Sequence, residues 1–248
     1  MRHVVMIPAR YGSSRYPGKP LVPLLEKPMI LWVAELSACA VGVDNVYVAT
    51  EDKRIAKVVE AAGYQSVMTT DDALTGTDRL AQAAEQIEAD LYINVQGDEP
   101  LADPADIRKV RDAKLANMSA VINGFSWVSD TEDPHSTNIP KVITNERNEL
   151  VYMSRVALPG YKDAKCAPER YKKQVCIYAF THDELAAFRA FGRKSELEHS
   201  EDIEILRFLE LGKKIIMVET RPGSLAVDVP EDVAKVEAAL RAAGERPE

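Results

Sequence analysis

Cysteine is scarce in this 248-residue chain: Cys39, Cys166 and Cys176 are an odd three with no C-x-x-C spacing. That excludes a disulfide or zinc framework from the main readings and fits a reduced, cytoplasmic protein. Histidine is sparse too. His3, His135, His182 and His199 show no H-E-x-x-H or comparable ligand spacing, so no transition-metal centre is expected. His199 reads as a solvated side chain near a helix start. No apolar run approaches a membrane span, and Met1-Arg2-His3 leads straight into a strand pattern rather than a signal peptide. Basic excess is also missing. The 39 Asp plus Glu against 31 Lys plus Arg give a net charge of −8, which disfavours nucleic acid or an anionic membrane as the main partner. A local cationic pocket stays compatible with that balance. Neither G-x-x-x-x-G-K-[ST] nor G-x-G-x-x-G is present.

What is there begins with Val4-Val5-Met6-Ile7, an apolar run that opens into Pro8-Ala9-Arg10-Tyr11-Gly12-Ser13-Ser14-Arg15-Tyr16-Pro17-Gly18-Lys19-Pro20. A buried strand entering a loop of turn residues and cations reads this way. Backbone amides of Gly12, Ser13 and Ser14 can join Arg10, Arg15 and Lys19 in wrapping a nucleotide polyphosphate. By composition alone, an ordinary strand-to-helix loop with surface cations fits as well.

Strand and helix patterns then alternate: a helix over 29–39, a strand over 45–49, a helix over 51–62 stopped by Gly63, and a short strand over 65–68. A helix over 79–89 follows, capped by Thr77 or Asp78, and then the continuous apolar strand 91–95. The pattern implies an α/β fold with a doubly wound, mostly parallel sheet and ligands beyond the strand C-termini. Arg10, Lys19 and Gln96-Gly97-Asp98 all follow strand ends and can converge on one crevice. From about residue 119, short strands at 120–122, 141–143, 150–152 and 175–180 indicate a smaller mixed or antiparallel section that extends the sheet, with 175–180 reading as a return to the main sheet. Helices over 182–191 and 200–211, a strand over 215–218 and a helix over 230–243 complete the chain.

Asp98 follows a buried strand, and Asp228, in Ala226-Val227-Asp228-Val229-Pro230, reads as a second strand-end carboxylate. Two such groups from distant sequence can hold Mg²⁺ against a triphosphate. Asp228 can instead cap the helix that follows, although Glu231 and Asp232 suit that role better. Leu74-Thr75-Gly76-Thr77-Asp78-Arg79 can read a base through hydroxyls and amides, can cap a helix, or can do both.

The spacing from Pro8 to Leu21, Pro-Ala-Arg-x-x-Ser-x-Arg-x-Pro-Gly-Lys-Pro-Leu, resembles the signature of sugar nucleotidyltransferases of the CMP-Kdo synthetase (3-deoxy-manno-octulosonate cytidylyltransferase) branch. The resemblance continues through Gly76-Thr77-Asp78-Arg79, Asn94-Val95-Gln96-Gly97-Asp98-Glu99-Pro100, Met153-Ser154-Arg155 and Val227-Asp228-Val229-Pro230-Glu231-Asp232. It implies a Rossmann-like nucleotidyltransferase domain over 1–248, with a CTP-binding half (1–118), a substrate and dimerisation section (119–180) and a return to the main sheet (181–248). It also implies a cytoplasmic, Mg²⁺-dependent homodimer that transfers CMP from CTP to a small acidic acceptor, releasing pyrophosphate, as in lipopolysaccharide biosynthesis. Arg10, Lys19, Asp98 and Asp228 would carry the chemistry, with Asp98 and Asp228 as metal ligands. Ala9, Arg10, Gly12, Ser13, Ser14, Lys19, Thr75, Gly76, Thr77, Gln96 and Asp98 would hold the nucleotide. Arg15, Arg79, Arg155, Gln174, Tyr178 and Glu204 would hold the acceptor, the arginines because guanidinium pairs with carboxylate in a bidentate way. Each arginine can also be read as a surface cation.

The chain departs from the family pattern where the acceptor is read. Family members have His-x-Gly-Ile-Tyr where this chain has Gln174-Val175-Cys176-Ile177-Tyr178, and Glu-Gln-Leu-Arg where it has Glu204-Ile205-Leu206-Arg207. Two lost contacts to sugar hydroxyls, at about 1–3 kcal/mol each, would weaken Kdo by more than about tenfold. A small phosphonate such as phosphonoformate is therefore an alternative acceptor to a Kdo-like acid. An inactive nucleotide-binding regulatory homologue is a third reading, opposed by the presence of Arg10, Lys19, Asp98 and Asp228 together.

Overall fold

A computed structural model describes residues 1–12, 16–223 and 225–244. The elements run β1 (His3–Ala9), β2 (Pro23–Leu24), β3 (Lys27–Pro28), α1 (Met29–Val41), β4 (Val46–Thr50), α2 (Lys53–Ala61), β5 (Gln65–Met68), α3 (Gly76–Ala84), β6 (Leu91–Val95) and α4 (Pro104–Ala116). They continue with β7 (Val121–Trp127), β8 (Lys141–Thr144), β9 (Leu150–Ser154), β10 (Lys172–Phe180), α5 (His182–Ala190), α6 (Glu196–Glu201), α7 (Ile205–Glu210), β11 (Ile215–Glu219) and α8 (Asp232–Gly244). Among the described residues, no helix is long and apolar enough to cross a membrane.

Nine of these strands form one sheet, ordered β11-β7-β10-β6-β1-β4-β5, with β8 and β9 paired off the edge of β10. All neighbours in the main order are parallel except β10, which runs antiparallel to both β6 and β7. Every residue of β4 and β6 is buried, as central strands covered on both faces require. One face packs Met6, Tyr92, Tyr178 and Phe180 against Leu80, Phe188 and Phe208 of α3, α5 and α7. The other packs Val5, Ile7, Ile93 and Val95 against Ile30, Val33, Ile107 and Val110 of α1 and α4. Helices on both faces make the sheet doubly wound, as the alternation of patterns implied.

Several local expectations are corrected. The helix α4 had no counterpart in the sequence reading; only Ile107, Val110 and two polar side chains, Asp106 and Lys114, are buried along it, so its apolar stripe is thin. The helix expected over 79–89 begins at Gly76, because Thr75 rather than Thr77 or Asp78 is the cap, its Oγ1 accepting the Asp78 N–H. The helix expected over 200–211 is two, α6 and α7, separated at Asp202, whose backbone is left-handed (φ 50°). The strand expected at 120–122 in the insertion belongs instead to the main sheet, where it pairs parallel with β11, while β10 returns to that sheet as the 175–180 pattern implies.

Candidate active site

A cavity of about 1070 Å³ opens beyond the ends of β1 and β6, where a doubly wound sheet binds its ligands. Pro8, Ala9 and Arg10 leave β1 on one side; Gln96, Gly97, Asp98 and Glu99 leave β6 on the other. Gly97 has a steric reason. A Cβ there would sit 2.9 Å from the Pro8 carbonyl oxygen, so glycine lets the two strand exits run side by side.

Lys19 is the electrostatic centre of the mouth. Its Nζ lies 2.6 Å from Asp98 Oδ2 and 3.7 Å from Asp228 Oδ1. Asp228 is not at a strand end, because residues 225–229 form no strand. It reaches the site another way: the Val227 N–H donates to the Asp98 carbonyl (3.0 Å), and the Val227 side chain is buried with Leu24, Met29 and Val236. Asp232 Oδ2, at the start of α8, accepts the N–H groups of Asp228 (2.8 Å) and Val229 (3.0 Å). The Asp228 carboxylate is thus oriented toward Lys19. Among the described residues no three His, Cys, Asp or Glu groups converge as a metal cage. A pair of carboxylates around one cation still suits a hard divalent ion, which takes one or two carboxylates and fills its shell with water and phosphate oxygens.

The other expected residues divide between the cavity wall and the packing behind it. Arg10 is exposed at the mouth, and Gly12 is exposed in the loop. Ser13, Ser14 and Arg15 lie outside the described residues. Thr75, Gly76, Gln96, Gln174 and Tyr178 line the wall. Gln174 Nε2 donates to Asn123 Oδ1 (3.2 Å) and to Tyr178 Oη (3.3 Å), and burial pushes the Tyr178 phenol well up. Thr77 is buried and absent from the wall; its Oγ1 donates to Glu204 Oε2 (2.6 Å). Arg79 lines the wall but is held by Glu51 Oε2 (2.9 Å), Thr69 Oγ1 and the Thr70 carbonyl, while burial pushes its pKa down. Arg155 donates to the carbonyls of Thr137 (2.8 Å), Asp202 (2.9 Å) and Glu201. Glu204 borders the cavity while accepting from Gly76 and Thr77. Sequence reasoning missed the far wall: the 131–140 loop, Lys173 paired with Glu132, and Lys194 paired with Asp202. Turn-rich composition was its only signal.

A family profile described as Cytidylyltransferase matches residues 4–215. A 3-deoxy-manno-octulosonate cytidylyltransferase from Trichlorobacter lovleyi is 41% identical over 97% of this chain and 99% of its own. The chain belongs to the cytidylyltransferase family. An 8-amino-3,8-dideoxy-manno-octulosonate cytidylyltransferase from Shewanella oneidensis is also 41% identical, over the same shares of the two chains. A solved structure of CMP:2-keto-3-deoxy-manno-octonic acid synthetase complexed with CTP superposes with a TM-score of 0.90 at 37% identity, covering 98% of this chain and 100% of that one.

The two departures from the family pattern sit differently in the fold. Ile205 is 1% exposed, packed in the core with Phe208, and does not line the cavity. Gln174 does line the cavity, so the other departure keeps its place in the site.

Proposed function

We propose that this cytidylyltransferase transfers CMP from CTP to Kdo or a Kdo-like sugar acid with release of pyrophosphate. The observation that carries the reading is the meeting of Lys19, Asp98 and Asp228 at the cavity mouth, in a chain similar along nearly its whole length to Kdo and amino-Kdo cytidylyltransferases. An acceptor hydroxyl gives up its proton to solvent and attacks the α-phosphorus of CTP in line, the bond from the α-phosphorus to the oxygen bridging to the β-phosphate breaks, and pyrophosphate leaves. Such a displacement depends on positioning and charge neutralisation rather than a covalent nucleophile. Arg10 and Lys19 offset the triphosphate charge. Of the residues that line the cavity, we assign Thr75, Gly76 and Gln96 to the base and Gln174 with Tyr178 to the acceptor.

Asp98 and Asp228 would hold Mg²⁺. Their convergence on the Lys19 ammonium, a cation standing between them, supports the fit. When bound, the ion supplies Lewis-acid stabilisation of the phosphoryl oxygens. A homodimer is part of the same reading, tested by sedimentation: a monomer mass near 27.4 kDa at micromolar concentration would oppose it.

Pyrophosphate release tests the function, with CTP, UTP, ATP or GTP against Kdo, its 8-amino analogue, N-acetylneuraminate and phosphonoformate. Turnover with CTP and a Kdo-type acid is expected. Equal turnover with UTP would remove the cytidylyl assignment, and turnover with phosphonoformate alone would move the acceptor to the phosphonates.

A further inference from the structure

Strand β10 carries a bulge where Gln174, Val175, Cys176 and Tyr178 line the cavity. Its register against β7 runs from Val175 opposite Gly124 directly to Tyr178 opposite Asn123, so Cys176 and Ile177 have no ladder partners on that side. A bulge of this kind frees backbone carbonyls and re-aims neighbouring side chains. Asn123, fully buried on β7, fills the gap. Its Nδ2 donates to the carbonyls of Val175 (2.8 Å) and Ile177 (3.1 Å).

The polarity of the next links has one solution. A backbone carbonyl only accepts, so Nδ2 must face Val175 and Ile177, and Asn123 Oδ1 is left as an acceptor. It accepts from Gln174 Nε2 (3.2 Å), which also donates to Tyr178 Oη (3.3 Å). Turning the Gln174 carboxamide over would set its oxygen against Asn123 Oδ1, two acceptors with no proton between them. Both Nε2 hydrogens are therefore spent within the wall. Gln174 Oε1 has no hydrogen-bond partner among the described residues and is accessible, on a side chain that lines the cavity.

Resting on the cytidylyl transfer proposed above, we propose that Asn123 is a positioning residue that holds the Gln174 carboxamide with its oxygen toward the acceptor. Gln174 then selects an acid bearing a hydrogen-bond donor, a hydroxyl or an ammonium group, at that point. A site built to hydrogen-bond a substrate group rejects analogues lacking it more strongly than an apolar pocket rejects a difference in size, because its own polar atom is left unpaired. A polyhydroxylated or amino sugar acid supplies the donor. A fully ionised phosphonate carries acceptor oxygens alone, which Oε1 repels. The residue that departs from the family pattern thus favours a sugar acid over a phosphonate.

The test measures pyrophosphate release from CTP with Kdo and with Kdo analogues, each having one non-reacting hydroxyl replaced by hydrogen or by fluorine, which cannot donate. In the wild-type protein one position should stand out. Its hydrogen and fluorine analogues should each lose about tenfold in kcat/KM, the scale of one hydrogen bond to a group that cannot re-pair. Gln174→Met, similar in length but without the carboxamide, should lose about as much with Kdo itself and erase the difference between Kdo and those two analogues. Asn123→Leu releases the carboxamide, whose nitrogen can then turn to the cavity, so the fluorine analogue should gain relative to the hydrogen analogue. Thermal unfolding is followed alongside; if Asn123→Leu does not fold, the wild-type analogue series and Gln174→Met decide.

Other results overturn the proposal. A uniform response to all analogues, or a Gln174→Met effect confined to the KM of CTP, takes Gln174 away from the acceptor. A fluorine analogue that matches Kdo at every position, or phosphonoformate turned over faster than Kdo, shows that no donor is required. A lowered unfolding temperature in Asn123→Leu with the analogue pattern unchanged makes Asn123 a structural tie only. A wild-type protein that releases pyrophosphate with none of these acids defeats the cytidylyl reading and the proposal with it, and the first assay with Kdo tells that failure from the others.

Discussion

Among the described residues, two triads set one cation between two carboxylates, and they differ in everything but charge. At the cavity mouth Lys19 meets Asp98 and Asp228, with side chains 16%, 27% and 46% exposed and the second contact long at 3.7 Å. Behind α3, Arg207 meets Asp78 and Glu198, with side chains 0%, 11% and 1% exposed. All five guanidinium donors of Arg207 are used: on Glu198 (2.6 and 2.7 Å), on Asp78 (2.7 and 3.1 Å) and on the Phe188 carbonyl (3.2 Å). The guanidinium also stacks on the Phe188 ring at 3.7 Å. A planar fork saturated away from water cannot exchange partners, whereas a flexible ammonium at a wet mouth can. The closed triad is scaffold; the open one is available for a metal and a triphosphate.

Breaking the closed triad should give the largest effect. Arg207→Met leaves two buried carboxylates without their cation, which typically costs about 3–5 kcal/mol. At about 2–4 °C per kcal/mol for a chain of this size, thermal unfolding should move down by on the order of 10 °C. A shift too small to resolve would make the two triads equivalent. The open triad should respond in the opposite sense: Asp98→Asn is expected to lower kcat by at least about a hundredfold, the scale of losing a major electrostatic element, with unfolding unchanged.

A smaller effect sharpens the claim of exchange. Lys19→Met should tighten Mn²⁺ binding to the nucleotide-free protein by roughly fivefold, the scale of one partly exposed ion pair of about 1 kcal/mol, because the ammonium no longer competes for Asp98 and Asp228. Paramagnetic titration checks this, and unchanged or weaker binding counts against exchange. The smallest effect belongs to a carboxylate outside both triads. Lys214, then Asn145 and Arg147, hold the Glu149 carboxyl down to about 2. A lowered native pKa stabilises above the ordinary carboxylate value and loses that contribution as pH falls toward 2. Glu149→Gln should flatten the stability profile between roughly pH 4.5 and 2, measured by chemical unfolding at several pH values; an unaltered acid limb contradicts the linkage.

The open triad was much more legible in the sequence than the closed one. Lys19 and Asp98 follow strands whose apolar runs announce them, and the strands Gln65–Met68 and Leu91–Val95 have the bounds that their patterns imply. Asp228 was found as a carboxylate but with the wrong local structure, because Val227 is anchored by a hydrogen bond to Asp98 rather than by a strand. Nothing local marks Asp78, Glu198 and Arg207 as partners, since their contacts join segments up to 129 residues apart. The break at Asp202 was hidden for a related reason: a left-handed aspartate leaves no mark on apolar periodicity. For α4, the start signal Asp103-Pro104 was present, with Asp103 Oδ1 accepting the Ala105 N–H, but charged residues obscured the stripe behind it.

The most direct test of the open triad is Asp228→Asn, the member reached without a strand and lying beyond the residues that the family profile matches. Pyrophosphate release from CTP and Kdo should fall by at least about a hundredfold, while thermal unfolding stays within about 2 °C of wild type. A near-normal rate in a folded Asp228→Asn protein would contradict the assignment and leave Asp228 as a partner of Lys19 with no part in the reaction.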